Sequence, residues 1–203
     1  MQQAVPAPVP AIILASTSPY RKALLERLRL PFETAKPGVD ETRHRNEDAS
    51  AMVLRLAREK ALAIAIQRPE AWIIGSDQCA VLGDAVLGKP GAHEQAANQL
   101  RESSGRSVTF RTGLCLVNLA QGFERCVEEP FTVHFRDLSE HEIQHYLGRE
   151  QPYDCAGSFK SEGLGVTLFR AMEGRDPSAL IGLPLMALCD LLREAGVDPL
   201  GIT

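Results

Sequence analysis

The chain has no surplus of positive charge. Lys and Arg number 22 against 26 Asp and Glu, a formal net charge of −4. This excludes a sequence-independent nucleic-acid binder, which carries a basic face, so no stable nucleic-acid partner is expected and any phosphate site must be local or helped by a metal ion. The five cysteines (79, 115, 126, 155 and 189) are odd in number and include no C-x-x-C pair. They read as reduced thiols of a cytoplasmic protein. No apolar run approaches the length of a membrane span, and the N-terminus lacks a basic region followed by a long apolar core. Neither a membrane partner nor a signal peptide is expected. No G-x-x-x-x-G-K-[ST] occurs, which excludes a Walker A loop. Internal repeats and a linker are missing too. Residues 1–11, with three prolines, read as a flexible N-terminal tail, and residues 12–203 as a single two-lobed α/β domain.

What is present centres on residues 12–28. Ile12 to Ala15 make a short buried strand, a hydroxyl-rich turn follows, and a helix then carries Leu24, Leu25 and Leu28 on one face. Ser18 stands at the N-cap and Pro19 at the first helical position. Free N–H groups and the positive end of the helix dipole suit that turn to phosphate. Arg21 and Lys22 add positive charge where the dipole alone favours acids, and so ask for an anion.

Three further stretches carry candidate chemistry. Val39-Asp40-Glu41 sets two carboxylates in a polar loop, read either as a solvated loop or as one that turns a carboxylate to a metal such as Mg²⁺. Residues 51–66 form a helix whose apolar stripe of Val53, Leu56, Ala57, Ala61 and Ile64 also bears Lys60. That ammonium is expected to meet an anion in a cleft, its stem only partly buried. Trp72 to Ile74 read as a buried strand ending on Gly75, Ser76 and Asp77, and a carboxylate at the carboxyl end of a strand is a catalytic candidate. A turn at Gly83-Asp84 then delivers Gly88-Lys89-Pro90.

The rest is scaffold: a helix over 93–103, a long hairpin turning at 120–122, and a capping box at Ser139–Glu142 opening another helix. Asp176-Pro177 caps a short helix and residues 185–195 form the last one. His141 and His145 lie four apart on a helix, but no acid or cysteine converges on them, so they read as surface residues.

Taken in order, these stretches resemble the Maf family of nucleoside triphosphate pyrophosphatases, and more closely its 7-methyl-GTP branch. The likeness rests on Leu14-Ala15-Ser16 with Ser18-Pro19 and Arg21, on Val39-Asp40-Glu41, Glu59-Lys60-Ala61 and Ile74-Gly75-Ser76-Asp77, and on Gly88-Lys89-Pro90. Thr112-Gly113, the run from Ala156 to Gly163 and Gly182-Leu183-Pro184 complete it. The resemblance implies a Maf-like α/β fold of two lobes around a curved mixed sheet, with the active-site cleft between the lobes. It implies a nucleotide substrate, a divalent cation (Mg²⁺ or Mn²⁺) held by Glu41 and Asp77, and a tendency to form homodimers. Asp77 would be the proton acceptor, with Lys60, Lys89 and Glu41 also catalytic, and Ser16, Ser18 and Arg21 gathered on the triphosphate.

Three positions depart from the branch that hydrolyses dTTP and UTP: Tyr20, Gln78 and Glu162. An aromatic ring and a carboxylate suit a positively charged, N7-methylated guanine. Stacking on Tyr20 would supply roughly 0.5–2 kcal/mol, and charge-assisted hydrogen bonds to Glu162 about 1.5–3 kcal/mol. Two other readings stay open at this point, a dTTP/UTP pyrophosphatase of the same fold and a nucleotide-binding regulator of cell division and septum formation.

Overall fold

Trp72–Leu82 forms β3, the strand against which the rest of the sheet is laid. The computed structural model describes residues 11–200; nearly all of the expected N-terminal tail lies outside the described residues. β1 (Ile12–Leu14) runs parallel to Trp72–Ile74, and β2 (Phe32–Thr34) runs parallel to β1. β4 (Ala85–Leu87) turns back at Gly83-Asp84 to pair with Ala80–Leu82. On the other edge β5 (Ser107–Asn118) lies antiparallel to β3 from Ile73 to Val81, followed by β6 (Phe123–Phe135) and β7 (Phe169–Gly174). The result is a seven-stranded mixed sheet, in the order β2-β1-β3-β5-β6-β7 with β4 also on β3.

This arrangement opens a gap. β5 occupies one edge of β3 along most of its length, so β1 and β4 must share the other. β1 reaches only Ile74 and β4 begins only at Ala80, which leaves Gly75–Cys79 without a strand neighbour on that side. Asp77 sits in the middle of the gap. The strand therefore does not end on Gly75-Ser76-Asp77 as the sequence suggests. It runs on to Leu82 because β5 continues to supply hydrogen-bond partners, Gly113 opposite Asp77 among them. The carboxyl end that matters is that of β1, where the parallel part of the sheet stops.

α2 (Ala49–Ala65) covers the face to which Ile73, Gly75, Asp77 and Cys79 point. It comes close because two glycines face it: a Cβ on Gly75 would run into the Ala57 carbonyl, and one on Gly113 into that of Val53. The opposite face is covered in two parts. α1 (Pro19–Glu26) and α6 (Leu185–Glu194) pack on Ile12, Leu14, Ile74 and Leu116. α3 (His93–Ser103) and α4 (Glu140–Glu150) pack with Phe110, Phe131, Phe135 and Phe159. The capping box that opens α4 is formed, and Asp176 caps the short α5 (Pro177–Ile181). No helix among the described residues is long and apolar enough to cross a membrane.

One expectation fails in the hairpin. Cys115 and Cys126 are not free thiols but a disulfide. The β5–β6 register sets them directly opposite each other, with Cα atoms 4.1 Å apart. A pairing made by strand register leaves no motif in the sequence. Cys79, Cys155 and Cys189 are free.

Candidate active site

The gap in the sheet opens into a cavity of about 650 Å³. Ten of the residues singled out from the sequence line it: Ser16, Ser18, Tyr20, Arg21, Glu41, Lys60, Asp77, Gln78, Lys89 and Glu162. They come from the turn between β1 and α1, α1 itself, the loop before α2, α2, β3, the loop after β4 and the segment after α4.

At its floor is a lysine between two carboxylates. Lys60 Nζ lies 2.6 Å from Asp77 Oδ1 and 2.6 Å from Glu41 Oε1. The expected half-buried lysine is in fact buried, only 4% exposed, and Asp77 is 8% exposed. The reason is the close approach of α2 over Gly75, which presses the Lys60 stem between helix and sheet. Its anions are therefore already on the protein. Of the adjacent acids in the loop, Glu41 faces the cavity, whereas Asp40 accepts from the backbone N–H and the hydroxyl of Thr42 and shapes the turn. Burial alone would raise the Glu41 pKa. The hydrogen bond and charge of Lys60 outweigh it, with Arg21 and Lys89 beyond, and hold the carboxyl below its ordinary value.

The turn between β1 and α1 forms as the sequence suggests. Ser18 caps α1, its Oγ accepting from Arg21 N, while Ser18 N donates to Ser16 Oγ at 3.1 Å. Neither bond uses the serines' own O–H protons. Arg21 donates Nε to the Gly182 carbonyl at 2.8 Å, and Ser76 Oγ donates to the same oxygen. The tether aims the guanidinium into the cavity. Burial lowers its pKa, opposed by Asp77 and Glu41. Lys22 does not join it: the side chain is exposed, 3.9 Å from Glu26. Lys89 stands exposed on the rim, carried by the loop after β4.

The three variable positions fare differently. Tyr20 O–H donates to Asp154 Oδ2 at 3.2 Å, and its pKa is raised by burial and by Cys155 and Asp154 beside it. Gln78 Nε2 donates to the Ala179 carbonyl at 2.6 Å and to Thr112 Oγ1 at 3.0 Å. Its amide group ties β3 to α5, leaving the carbonyl oxygen for anything in the cavity. Glu162 is exposed on the wall and accepts from Ser161 Oγ. Sequence reasoning missed Lys36 and Asp154, which also line the cavity. Both lie in irregular segments with no periodicity to mark a face.

Among the described residues no group of three or more His, Cys, Asp or Glu converges on one point. Glu41 Oε1 and Asp77 Oδ1 are both taken by the Lys60 ammonium, so a cation would be held by the other oxygens of the two carboxylates. A hard cation such as Mg²⁺ takes one or two protein carboxylates and leaves its other positions to water and phosphate. The pair fits such an ion. The lining residues also carry balanced charge: Arg21, Lys36, Lys60 and Lys89 against Glu41, Asp77, Asp154 and Glu162. The lining as a whole therefore brings no net positive charge.

Residues 11–195 match the family described as Maf-like protein. Three curated relatives, from Alcanivorax borkumensis, Nitrosococcus oceani and Alkalilimnicola ehrlichii, are 54%, 55% and 57% identical to this chain. The alignments cover 93%, 94% and 95% of it and 96% of each relative. Each of the three is named 7-methyl-GTP pyrophosphatase.

Proposed function

The chain belongs to the Maf-like family, and from that premise we propose that it hydrolyses the α–β phosphoanhydride of a nucleoside triphosphate, 7-methyl-GTP in particular, to the monophosphate and pyrophosphate. The observation that carries this reading is the buried Lys60 held between Asp77 and Glu41 in the same cavity as the N-terminus of α1. The names of relatives more than half identical over nearly the whole chain support the same activity.

The reaction needs a water to attack the α-phosphorus in line with the departing pyrophosphate. One water O–H bond breaks as the oxygen bonds to phosphorus, and the bond from phosphorus to the bridging oxygen breaks with its electron pair leaving on pyrophosphate. Asp77 takes the proton. It stands in the gap of the sheet and lines the cavity, and the Lys60 bond occupies its Oδ1 alone. A positioned general base of this kind contributes about 10²–10⁴-fold. Lys60 holds Asp77 and Glu41 in place, and Lys89, Arg21 and the O–H groups of Ser16 and Ser18 stabilise the charge that builds on the leaving group. The N-terminus of α1 adds its dipole at the same end. Glu41 and Asp77 would hold the divalent cation, which when bound supplies further neutralisation of the phosphates and a more acidic water.

The base end is of opposite character. Asp154, Phe159 and Glu162 reach the cavity from one segment and Tyr20 faces them from α1. An aromatic ring with carboxylates around it favours a cationic ring over a neutral pyrimidine. This supports 7-methyl-GTP over UTP and dTTP, and Gln78 contributes through its carbonyl oxygen. The test is a panel of 7-methyl-GTP, GTP, UTP and dTTP with Mg²⁺ or Mn²⁺, scored for pyrophosphate release. The highest kcat/KM is expected for 7-methyl-GTP. A pyrimidine triphosphate at the top would contradict the substrate assignment, and no pyrophosphate from any of them would contradict the activity.

A further inference from the structure

Asp154 was not foreshadowed by any motif, yet it holds the one side chain expected to stack on the base. It accepts the Tyr20 O–H at 3.2 Å on Oδ2, and Cys155 Sγ donates to Oδ1 at 3.5 Å. Two different donors on its two oxygens fix the plane of the carboxylate. Tyr20 is the residue between the cap, Pro19 and the tethered Arg21, so its backbone is fixed by α1 and its phenol by Asp154. The ring consequently spans the distance between the phosphate end of the cavity and the acidic segment 154–162.

Three physical effects follow from that bond. The bond restrains the ring from swinging away, so less freedom is lost when a base stacks on it. A phenol that donates to a carboxylate becomes more electron-rich, which strengthens the attraction of its face for a cation. The carboxylate also lies beside the stacking site as a second negative charge, in addition to Glu162. Burial opposes ionisation of Asp154, but the bonds from Cys155 and Tyr20 and the charge of Lys160 outweigh it, so it stays a carboxylate at neutral pH.

We infer that Asp154 is a specificity-determining residue, which orients the Tyr20 ring and supplies a negative charge that selects a positively charged purine over the neutral form of the same base. The inference rests on the 7-methyl-GTP reading above. GTP is the right competitor, because it differs from 7-methyl-GTP by the methyl group and the charge it brings while keeping the same guanine edge for Glu162.

Two substitutions separate charge from tether. Asp154→Asn keeps an oxygen that can accept from Tyr20 but removes the charge. Tyr20→Phe removes the hydrogen bond but keeps the ring and both carboxylates. The readout is the ratio of kcat/KM for 7-methyl-GTP to that for GTP, with thermal melting as a control for folding. Asp154→Asn is expected to lower the ratio about tenfold, a loss of about 1.4 kcal/mol in discrimination, and Tyr20→Phe to lower it clearly less. A ratio unchanged in Asp154→Asn, with both nucleotides falling together or neither, overturns the role of Asp154 while leaving the enzyme's substrate intact. A fall in Tyr20→Phe with none in Asp154→Asn assigns the preference to the tether and overturns the charge. A wild type that does not favour 7-methyl-GTP over GTP overturns the substrate reading itself, and this inference with it.

Discussion

Gly75 of β3 lies directly beneath the Ala57 carbonyl of α2, with no room for a Cβ between them. Lys60 sits three residues further along that helix, and Asp77 two residues further along that strand. The contact between the two backbones therefore sets the 2.6 Å separation of Lys60 Nζ and Asp77 Oδ1. Gly113, opposite Asp77 on β5, makes the same allowance for Val53.

Gly75→Ala should accordingly damage stability and turnover together. The added methyl must push α2 off the sheet, an overpacking cost of about 1–3 kcal/mol or more, and the displaced Lys60 leaves Asp77 misaligned. Thermal melting and pyrophosphate release are the measurements. A variant that melts and turns over like the wild type would show that the close approach does not govern the site.

Lys60→Met keeps the stem and removes the charge. Asp77 is buried and would be left without its counter-ion, so the expected loss is about 3–5 kcal/mol. Adding Asp77→Asn to Lys60→Met should recover part of that loss, because the second change removes the stranded charge. Chemical denaturation of the two singles and the double gives the coupling. Additive losses would mean that the two side chains do not stabilise each other.

The loop bearing Glu41 is clasped to α2 by Arg55, which donates to both oxygens of Glu47, to Glu59 and to the Thr42 carbonyl. The hydrogen bond from Arg55 holds Glu47 at a pKa of about 2, below its ordinary 4.5. A carboxyl depressed in the folded state contributes stability that is fully present above pH 4.5 and lost as the pH falls toward 2. The difference in melting temperature between wild type and Glu47→Gln should be open at pH 7 and close across that window. A difference that stays constant down to pH 2 would show that the clasp does not depend on the charge of Glu47.

Much of this was readable from the chain, and where it was not the reasons are physical. Lys60 stood out because it interrupts a helical stripe, and Ser18-Pro19 because local sequence alone decides a helix start. The length of β3 was not readable. Gly75-Ser76-Asp77 looks like the end of a strand, and only the partner strand β5, some 30–40 residues away in the chain, keeps it extended. The same holds for Cys115 and Cys126, joined by register, and for the burial of Lys60, which depends on two glycines on two different strands. Asp154 lies in a turn after α4, where no period distinguishes a cavity wall from solvent.

Substrate choice should move with Tyr20 and Glu162. Tyr20→Arg removes the ring and puts a like charge beside a cationic base, and Glu162→Gln removes an attracting charge at nearly constant shape. The double variant should lose at least about tenfold in kcat/KM for 7-methyl-GTP relative to UTP, about 1.4 kcal/mol of differential transition-state binding. The singles are not expected to add, since both face the same base. Competition assays with the two nucleotides give the ratio directly, and an unchanged ratio would place base selection elsewhere in the cavity.

The most direct test of the account follows the oxygen of the attacking water. 7-Methyl-GTP is hydrolysed with Mg²⁺ in ¹⁸O-labelled water by the wild type and by Asp77→Asn, and the products are weighed by mass spectrometry. Attack on the α-phosphorus with Asp77 as base predicts one ¹⁸O in the 7-methyl-GMP, none in the pyrophosphate, and a rate about 10²–10⁴-fold lower in Asp77→Asn. Label in the pyrophosphate, or an Asp77→Asn variant with near-normal turnover, would contradict it.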